Sequence, residues 1–398
     1  MREACDVIVI GAGVIGTASA MHLAESGRRV LVLERGDIAS GASGGNLGQI
    51  SLADRCEAWH MALAQESLAF YRDVMASGCD IEYHETGGSL FLLNERQIAL
   101  AGEAVKNLAG LGVEASILYG EAMAEAEPYV NRDKLKALMF VPGEGKLNPL
   151  LTTLMLARRA EEAGAVILRH TPVEGFDREG CLITGVRTPA GIFRAPVIVN
   201  AAGPMAWHIA GMAGVTVPIC FHKGTAFVTE PMPPLIRGPV VGGGSLVKEG
   251  GPIVGGGTTV NDGRSRYPIH IGTGFIQTAD GTVILAQATE DCEPDDRSIN
   301  AEAFRLIAAN CLSYYPQLRD VRVVRAWAAC TTYTKDNLPV FGFSRKAANL
   351  LTAAGFKGAF TTAPAIGRLV RDAVAGHSDP VYEAMSPDRP NEGYRSSY

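Results

Sequence analysis

The sequence predicts an α/β chain, α+β overall, in which a Rossmann-type dinucleotide domain is interleaved with an antiparallel β-sheet domain. Three observations predict it. The stretch "DVIVIGAGVIGTASAMHLAESGRRVLVLERG", residues 6–36, reads as strand, G-x-G-x-x-G turn, small-residue helix and second strand. Pieces of the same type return in the middle and at the end of the chain. The 398 residues also exceed what one ordinary core organises, and the intervening stretches are rich in glycine and strand formers.

In order along the chain, residues 6–10 are a short β-rich apolar run, 14–26 a helix and 29–34 a second strand. A helix follows from Glu57 to Met75, where Trp59, Leu63, Phe70 and Val74 recur at helical spacing. Residues 80–145 mix strand ("GGSLFLLN") with helix ("RQIALAGEAVKNLAGLG") and read as an insertion. "NPLLTTLMLARRAEEAGAVILRH" runs from helix into strand, with Gly164 as the stop signal. "GVRTPAGIFRAPVIVNAAGPMA" is a hairpin ending in a buried strand, Val197 to Asn200. Residues 215–325 are strand-rich, with a helix near 300–313. "NLLTAAGFKGAFTTAPAIGRLVRDAVAG" closes as strand, glycine turn and helix. The dinucleotide domain is thus expected to comprise 1–78, 147–214 and 325–380, the second domain 79–146 and 215–324, and a C-terminal tail 381–398.

Composition narrows the function. Hydrophobic residues make up 47% and charged residues 20%, as in globular proteins. A net charge of −6 leaves no basic footprint for nucleic acid. No apolar run approaches the roughly 18 residues needed to cross a bilayer, and no cleavable signal precedes the first strand, so a cytoplasmic location is expected. The eight cysteines, Cys5, Cys56, Cys79, Cys181, Cys220, Cys292, Cys311 and Cys330, contain no C-x-x-C pair. That pattern suggests reduced core thiols, with neither a zinc site nor an iron–sulfur cluster. The absence of a C-x4-C pair also disfavours a disulfide reductase.

Gly11 permits the tight turn, Gly13 a close approach of backbone to pyrophosphate, and Gly16 close helix–strand packing. Val14 and Ile15 open the helix whose unpaired N–H groups meet the phosphates. Glu34, about 20 residues on, can accept hydrogen bonds from ribose hydroxyls and would repel a 2′-phosphate, which disfavours NADP. NAD and FAD both fit at this point. The loop "GASGGNLGQIS", residues 41–51, lets backbone N–H groups reach a second, larger part of a ligand.

With that loop, "NPLLTTLMLARRAEEAGAVILRHTPVEGF", "VIVNAAGPMA", "AWAACTTYTKDNLPVFG" and "AAGFKGAFTTAPAIGRLV", the chain resembles the D-amino-acid oxidase/glycine oxidase/sarcosine oxidase superfamily of FAD enzymes. It is most similar to the bacterial amino-acid (proline, hydroxyproline, opine) dehydrogenase β-subunit branch. The resemblance covers nearly the whole chain. It implies a glutathione-reductase-type FAD domain and non-covalent FAD, with Glu34 and Arg35 beside the adenosine ribose. Ala42, Ser43, Asn46, Leu47, Gly48 and Gln49 would line the path to the flavin, and the backbone of Val173 would meet adenine. Ala202 and Gly203 would lie beneath the cofactor, and Gly355, Lys357 and Gly358 would form the flavin-side turn. The N-terminus of the last helix, pointed at the flavin N1–C2=O edge, would stabilise negative charge there. The G-D-A-A-H-like motif of flavin monooxygenases is missing.

The implied chemistry is oxidation of the CH–NH bond of an amino or imino acid, or a related secondary amine, by hydride transfer to flavin. Glycine-oxidase-like relatives carry "G-L-R-P-x-T-x-D", whose arginine grips the substrate carboxylate. Here the stretch runs Ala329-Cys330-Thr331-Thr332-Tyr333-Thr334-Lys335-Asp336, and Thr331 stands at the arginine position. Lys357 is then the first candidate for an anionic substrate group, and Tyr333 a donor over the flavin. The cysteine that carries FAD in monomeric sarcosine oxidases falls at Ala329, one residue from Cys330, and strand neighbours face opposite ways. His222 and Lys223 occupy an "R-G" position, and Arg264, Arg266 and His270 lie in a glycine-rich segment.

Related β subunits work with iron–sulfur or flavin partner chains, so a partner accepting electrons is expected, with a self-sufficient oxidase as the alternative. One rival reading is an FAD-dependent 2-hydroxy-acid dehydrogenase, with His222 or His270 as base. Another is an FAD-holding electron-relay subunit of a larger complex. An NAD-dependent dehydrogenase explains none of the C-terminal motifs.

Overall fold

A computed structural model describes residues 5–55, 57–242, 258–260 and 267–390. Cys56, Arg264 and Arg266 lie outside the described residues. The chain forms two compact units: Met1–Gly44, Leu150–Phe221 and Cys330–Tyr398 in the first, and Gly45–Pro149 and His222–Ala329 in the second.

The first unit is built on a six-stranded sheet in the order Val340–Ser344, Ala347–Ala354, Val197–Asn200, Val7–Ile10, Val30–Leu33, Val166–Leu168. The inner strands are parallel and read as unbroken apolar runs because both faces are covered. Val340–Ser344 alone is antiparallel to its neighbour. The chain leaves Val7–Ile10 toward Val30–Leu33 on one side and later returns at Val197–Asn200 on the other. The carboxyl end of Val7–Ile10 is therefore a topological switch point, the place where open α/β sheets bind ligands.

The helices Val14–Glu25 and Ala363–Val374 approach so closely that a Cβ at Gly367 would stand 2.5 Å from the Ala18 backbone. The small residues of "GTASA" serve that crossing. Gly164, at φ +97°, ends the helix Pro149–Glu162 ahead of the strand Val166–Leu168. The expected hairpin, Leu182–Thr188 with Gly191–Phe193, is joined by Gly175–Glu179 into a small antiparallel sheet.

The second unit holds a nine-stranded sheet and the helices Ala58–Ala76, Glu95–Gly110 and Ala301–Tyr314. Val283–Asp291 pairs antiparallel with both Cys220–Thr229 and Ile269–Gln277, but Val240–Gly242 runs parallel to Gly88–Leu92. The sheet is thus mixed rather than antiparallel throughout. The strand Gly88–Leu92 is buried at every position, which is compatible with either direction. Phe91, Phe227 and Phe275 form its core with Ile307 and Tyr314 of the helix Ala301–Tyr314 and with Tyr315. The oxygen of the Asn300 side chain caps that helix at Glu302 N–H, 2.9 Å away.

The expected division differs from these units in several places: residues 147–149 and 325–329 fall in the second unit and 215–221 in the first. Residues 45–78, expected with the dinucleotide domain, fall in the second unit, where Tyr71 of the helix Ala58–Ala76 packs on Tyr83 at 5.6 Å. The expected tail contributes a helix, Pro380–Met385, to the first.

Candidate active site

At the switch point each glycine answers a separate contact. Gly11 has φ +105°, and a Cβ there would lie 2.6 Å from the Ala201 carbonyl oxygen. A Cβ at Gly16 would overlap the Gly11 carbonyl oxygen. At Gly13 the nearest atom is the Ser43 hydroxyl, 3.1 Å from a Cβ position, so the backbone there stays open to a ligand. Ser43 Oγ accepts the Val14 N–H at 2.9 Å, while the Ile15 and Gly16 N–H groups make no hydrogen bond to a described residue. Helix-end donors of this kind, with a positive helix end behind them, suit a pyrophosphate.

Glu34 is 8% exposed and held from two sides, its carboxylate accepting the Ala12 and Gly36 N–H groups, each at 2.7 Å. Each carboxylate oxygen keeps a lone pair for a ribose hydroxyl. Arg35 beside it is exposed. The Glu34 carbonyl accepts the Thr171 N–H, and Glu174 N–H bonds to Arg187. Between them the N–H and C=O of Val173 make no hydrogen bond to a described residue, leaving a backbone edge of the kind that reads a base. Under the sheet, Asn200 ties the turn at Ala202 and Gly203 by bonding the Ala206 carbonyl at 2.8 Å, and Gly203 takes φ +55°. Ala42 and Ser43 are half-buried in a loop folded back on the glycine turn through Ala39 N–H to Ala12 O. These donors and open backbone edges fit a dinucleotide.

The rest of that loop is braced within the second unit. Asn46 Oδ1 accepts the Gly48 N–H at 2.8 Å, and Gly48 takes φ +85° where a Cβ would overlap the Leu147 carbonyl. Gln49 pairs with Lys146, and Leu47 is half-buried. Trp327 Nε1 donates to the Gly45 carbonyl at 3.0 Å, and a Cβ at Gly45 would stand 2.5 Å from the Ala329 methyl. Ala329 thus faces the loop with no thiol, while Cys330 turns inward, 4% exposed.

In the first unit, Thr331 and Lys357 are exposed and Tyr333 is half-buried. Lys357 makes no hydrogen bond or ion pair with a described residue. It sits on a turn held by Gly355 (φ +74°) and Gly358 (φ +58°). Thr334, next to Tyr333, packs on that turn, its methyl 3.3 Å from a Cβ position at Gly355. The strand end and the lysine turn are therefore one piece of structure. The helix Ala363–Val374 beyond starts with Pro364 in its first turn, no acid there and no side-chain cap, so its positive end is unopposed by its own sequence.

Lys223 is committed to a buried network. It is 5% exposed and bonded to Asp296 at 2.7 Å and Ser298 at 3.0 Å, with Glu290 at 3.5 Å. His222 Nδ1 lies 3.2 Å from Asp291. Burial lowers its basicity, Asp291 pulling the other way and His270 adding to the fall. His270 Nδ1 meets Thr259 Oγ1 at 2.9 Å.

Sequence reading missed Glu144, whose Oε1 accepts Leu52 N–H and Ala53 N–H at 2.7 Å and the Ser51 hydroxyl at 3.0 Å, bracing the chain just past the loop. Burial pushes its pKa up to about 7 against those donors. A lone glutamate in "PGEGK" carries no sequence signal for this.

The comparisons agree with the geometry. Glycine oxidase of Geobacillus kaustophilus (strain HTA426) is 26% identical over 391 residues, 94% of each chain. Hydrogen cyanide synthase subunit HcnC of Pseudomonas aeruginosa is 26% identical over 400 residues, covering 89% of this chain and 88% of that one. The crystal structure of L-proline dehydrogenase from P. horikoshii superposes with a TM-score of 0.84 at 25% identity, over 97% of this chain and 98% of that one. The model of the DAO family, FAD dependent oxidoreductase, matches residues 6–373. The chain belongs to this DAO family of FAD-dependent oxidoreductases, with FAD as its cofactor.

Proposed function

We propose that this enzyme oxidises the CH–NH bond of a small amino or imino acid. When bound, FAD supplies the acceptor for the hydride lost from the carbon beside nitrogen. The nitrogen lone pair forms the C=N bond as the hydride leaves, and water then releases the carbonyl compound and the amine. The protein's share is to hold the substrate with that carbon toward the acceptor.

The observation that carries the reading is the exposed Lys357 on its glycine turn, packed against the strand end that bears Thr331 and Tyr333. With threonine at the position where relatives carry arginine, Lys357 takes the substrate carboxylate as a point charge rather than a fork. Tyr333 donates to the substrate or cofactor, and Thr331 sets the width of the pocket. The assigned FAD ligands are Gly11, Gly13, Val14, Ile15, Gly16, Glu34, Arg35, Ala42, Ser43, Asn46, Leu47, Gly48, Gln49, Val173, Ala202, Gly203, Gly355, Lys357 and Gly358. Similarity to a chain named as a subunit supports an electron-accepting partner protein. Among the described residues no helix is long and apolar enough to cross a membrane. Among the described residues seven cysteines are free, which supports a reducing compartment, the cytoplasm.

The test is anaerobic bleaching of the flavin by amino and imino acids, with Lys357→Ala losing affinity for all of them. A second reading, oxidation of a 2-hydroxy acid, is favoured by one observation: burial keeps the His222 imidazole toward its neutral form, as a base for a hydroxyl proton requires. Bleaching by 2-hydroxy acids that is lost in His222→Asn would select it.

A further inference from the structure

The C-terminal segment carries a side chain that neither the family match nor the site assignment uses. Arg389 is 7% exposed. Its Nε and Nη2 grip Asp336 at 2.8 and 3.2 Å, and Nη2 also donates to the Leu338 carbonyl at 2.9 Å. Nη1 donates to the carbonyls of Pro339 at 3.0 Å, Met385 at 2.9 Å and Ser386 at 3.3 Å. One guanidinium thus ties the tail to Asp336, Leu338 and Pro339 of the loop 334–339. Burial opposes ionisation of Asp336, but Arg389 and the Leu338 N–H outweigh it and hold the carboxyl below its usual range.

That loop directly continues the strand end bearing Thr331 and Tyr333, and it backs the lysine turn. A Cβ at Gly355 would lie 3.3 Å from the Thr334 methyl and 3.9 Å from Pro339 Cα. A second route runs through aromatic rings. Tyr382, on the tail helix, packs on Phe341 at 5.0 Å, and Phe341 meets Phe356 edge-on at 6.4 Å. Phe356 is the residue before Lys357. The tail is further pinned by Asp388, which accepts from the Ser344 hydroxyl at 2.8 Å and from Arg345 N–H at 2.6 Å.

We propose that Arg389 is a positioning residue for the reaction: the tail buckles the loop 334–339 and thereby sets where Tyr333 and Lys357 present themselves to the substrate. This rests on the assignment of Tyr333 and Lys357 to the substrate side. A site held by packing and polar support tolerates little displacement. Arginine suits the task because its planar fork satisfies a carboxylate and several carbonyls at once, which lysine cannot do.

The test compares wild-type, Arg389→Ala, Arg389→Lys and Tyr382→Leu holoenzymes by amide hydrogen exchange and by kinetics. Exchange at residues 331–339 and 355–358 should accelerate in Arg389→Ala, with the FAD content kept. KM should rise roughly tenfold or more while kcat changes by less than about threefold, since ground-state placement is what is lost. Arg389→Lys should recover part of the KM, and millimolar guanidinium should restore Arg389→Ala toward wild type. Unchanged exchange in that stretch would overturn the buckle whatever the substrate proves to be. Faster exchange with an unchanged KM would overturn the positioning role and leave a purely structural one. If Arg389→Ala does not hold FAD, Tyr382→Leu decides through the second route by the same readouts. A wild-type flavin that no amino or imino acid bleaches overturns the substrate reading instead, and hydrogen exchange still decides the buckle.

Discussion

The two units are held together internally by different means. In the first, backbone does most of the holding: glycines at Gly11 and Gly16 admit close approaches, and Glu34 is locked by two N–H groups. In the second, buried polar side chains do it, through Glu144 beside the loop and through the ion pairs of Lys223 with Asp296 and Glu290. Backbone cradles fail when a side chain is added. Buried charges fail when one partner is taken away.

That contrast orders the expected effects. Gly16→Val should be the most severe, because the new side chain would collide with the Gly11 carbonyl. The purified protein should be colourless and should not regain FAD on reconstitution; a yellow, active variant would break the account of the first unit.

Lys223→Met comes next. It leaves Glu290 and Asp296 without their cation and should cost about 3 kcal/mol of stability, as breaking a buried pair does. Denaturant unfolding with an unchanged midpoint would show that the network contributes little.

These first two changes also mark what the sequence makes legible. Gly11, Gly13, Gly16 and Glu34 act over a few residues, and spacing alone forces their geometry, so strand, turn, helix and acid could be read directly. Lys223 meets Asp296 across 73 positions, and Arg389 meets Asp336 across 53. No local pattern encodes such pairs. The sequence shows Lys223 only as one half of an "R-G" position, whereas the structure makes it the centre of a buried network. The sheet of the second unit was legible as strand-rich, but its parallel pair was not, because the register there is set by distant neighbours. That residues 45–78 fall in the second unit was not legible for the same reason: the helix period predicts a helix, not what it packs on.

Lys357→Ala should raise KM for carboxylate-bearing substrates about tenfold to a hundredfold with little change in FAD content, the range for losing one charge-assisted contact. Lys357→Arg should keep most of the affinity. Equal KM values in all three proteins would move the carboxylate site elsewhere.

The smallest expected effect is a pH dependence. Folding raises the pKa of Glu144 from 4.5 to about 7, so its protonated form is favoured in the native state. The stability it contributes is full below the unfolded value and is lost as pH rises through the folded one. Glu144→Gln, which keeps an acceptor and cannot ionise, should flatten the stability profile between about 4.5 and 7. Glu127, which burial also pushes up to about 7, leaves a remaining slope that Glu127→Gln should remove. A profile that steepens in Glu144→Gln would reverse the assigned direction.

The most direct test of the central claim is a visible absorption spectrum of the purified chain, titrated without oxygen with glycine, proline, sarcosine, other amino acids and 2-hydroxy acids. The account predicts a yellow protein that releases FAD on acid precipitation and is bleached by at least one amino or imino acid and by no 2-hydroxy acid. Bleaching by 2-hydroxy acids alone, or a protein that cannot be loaded with FAD, would contradict it.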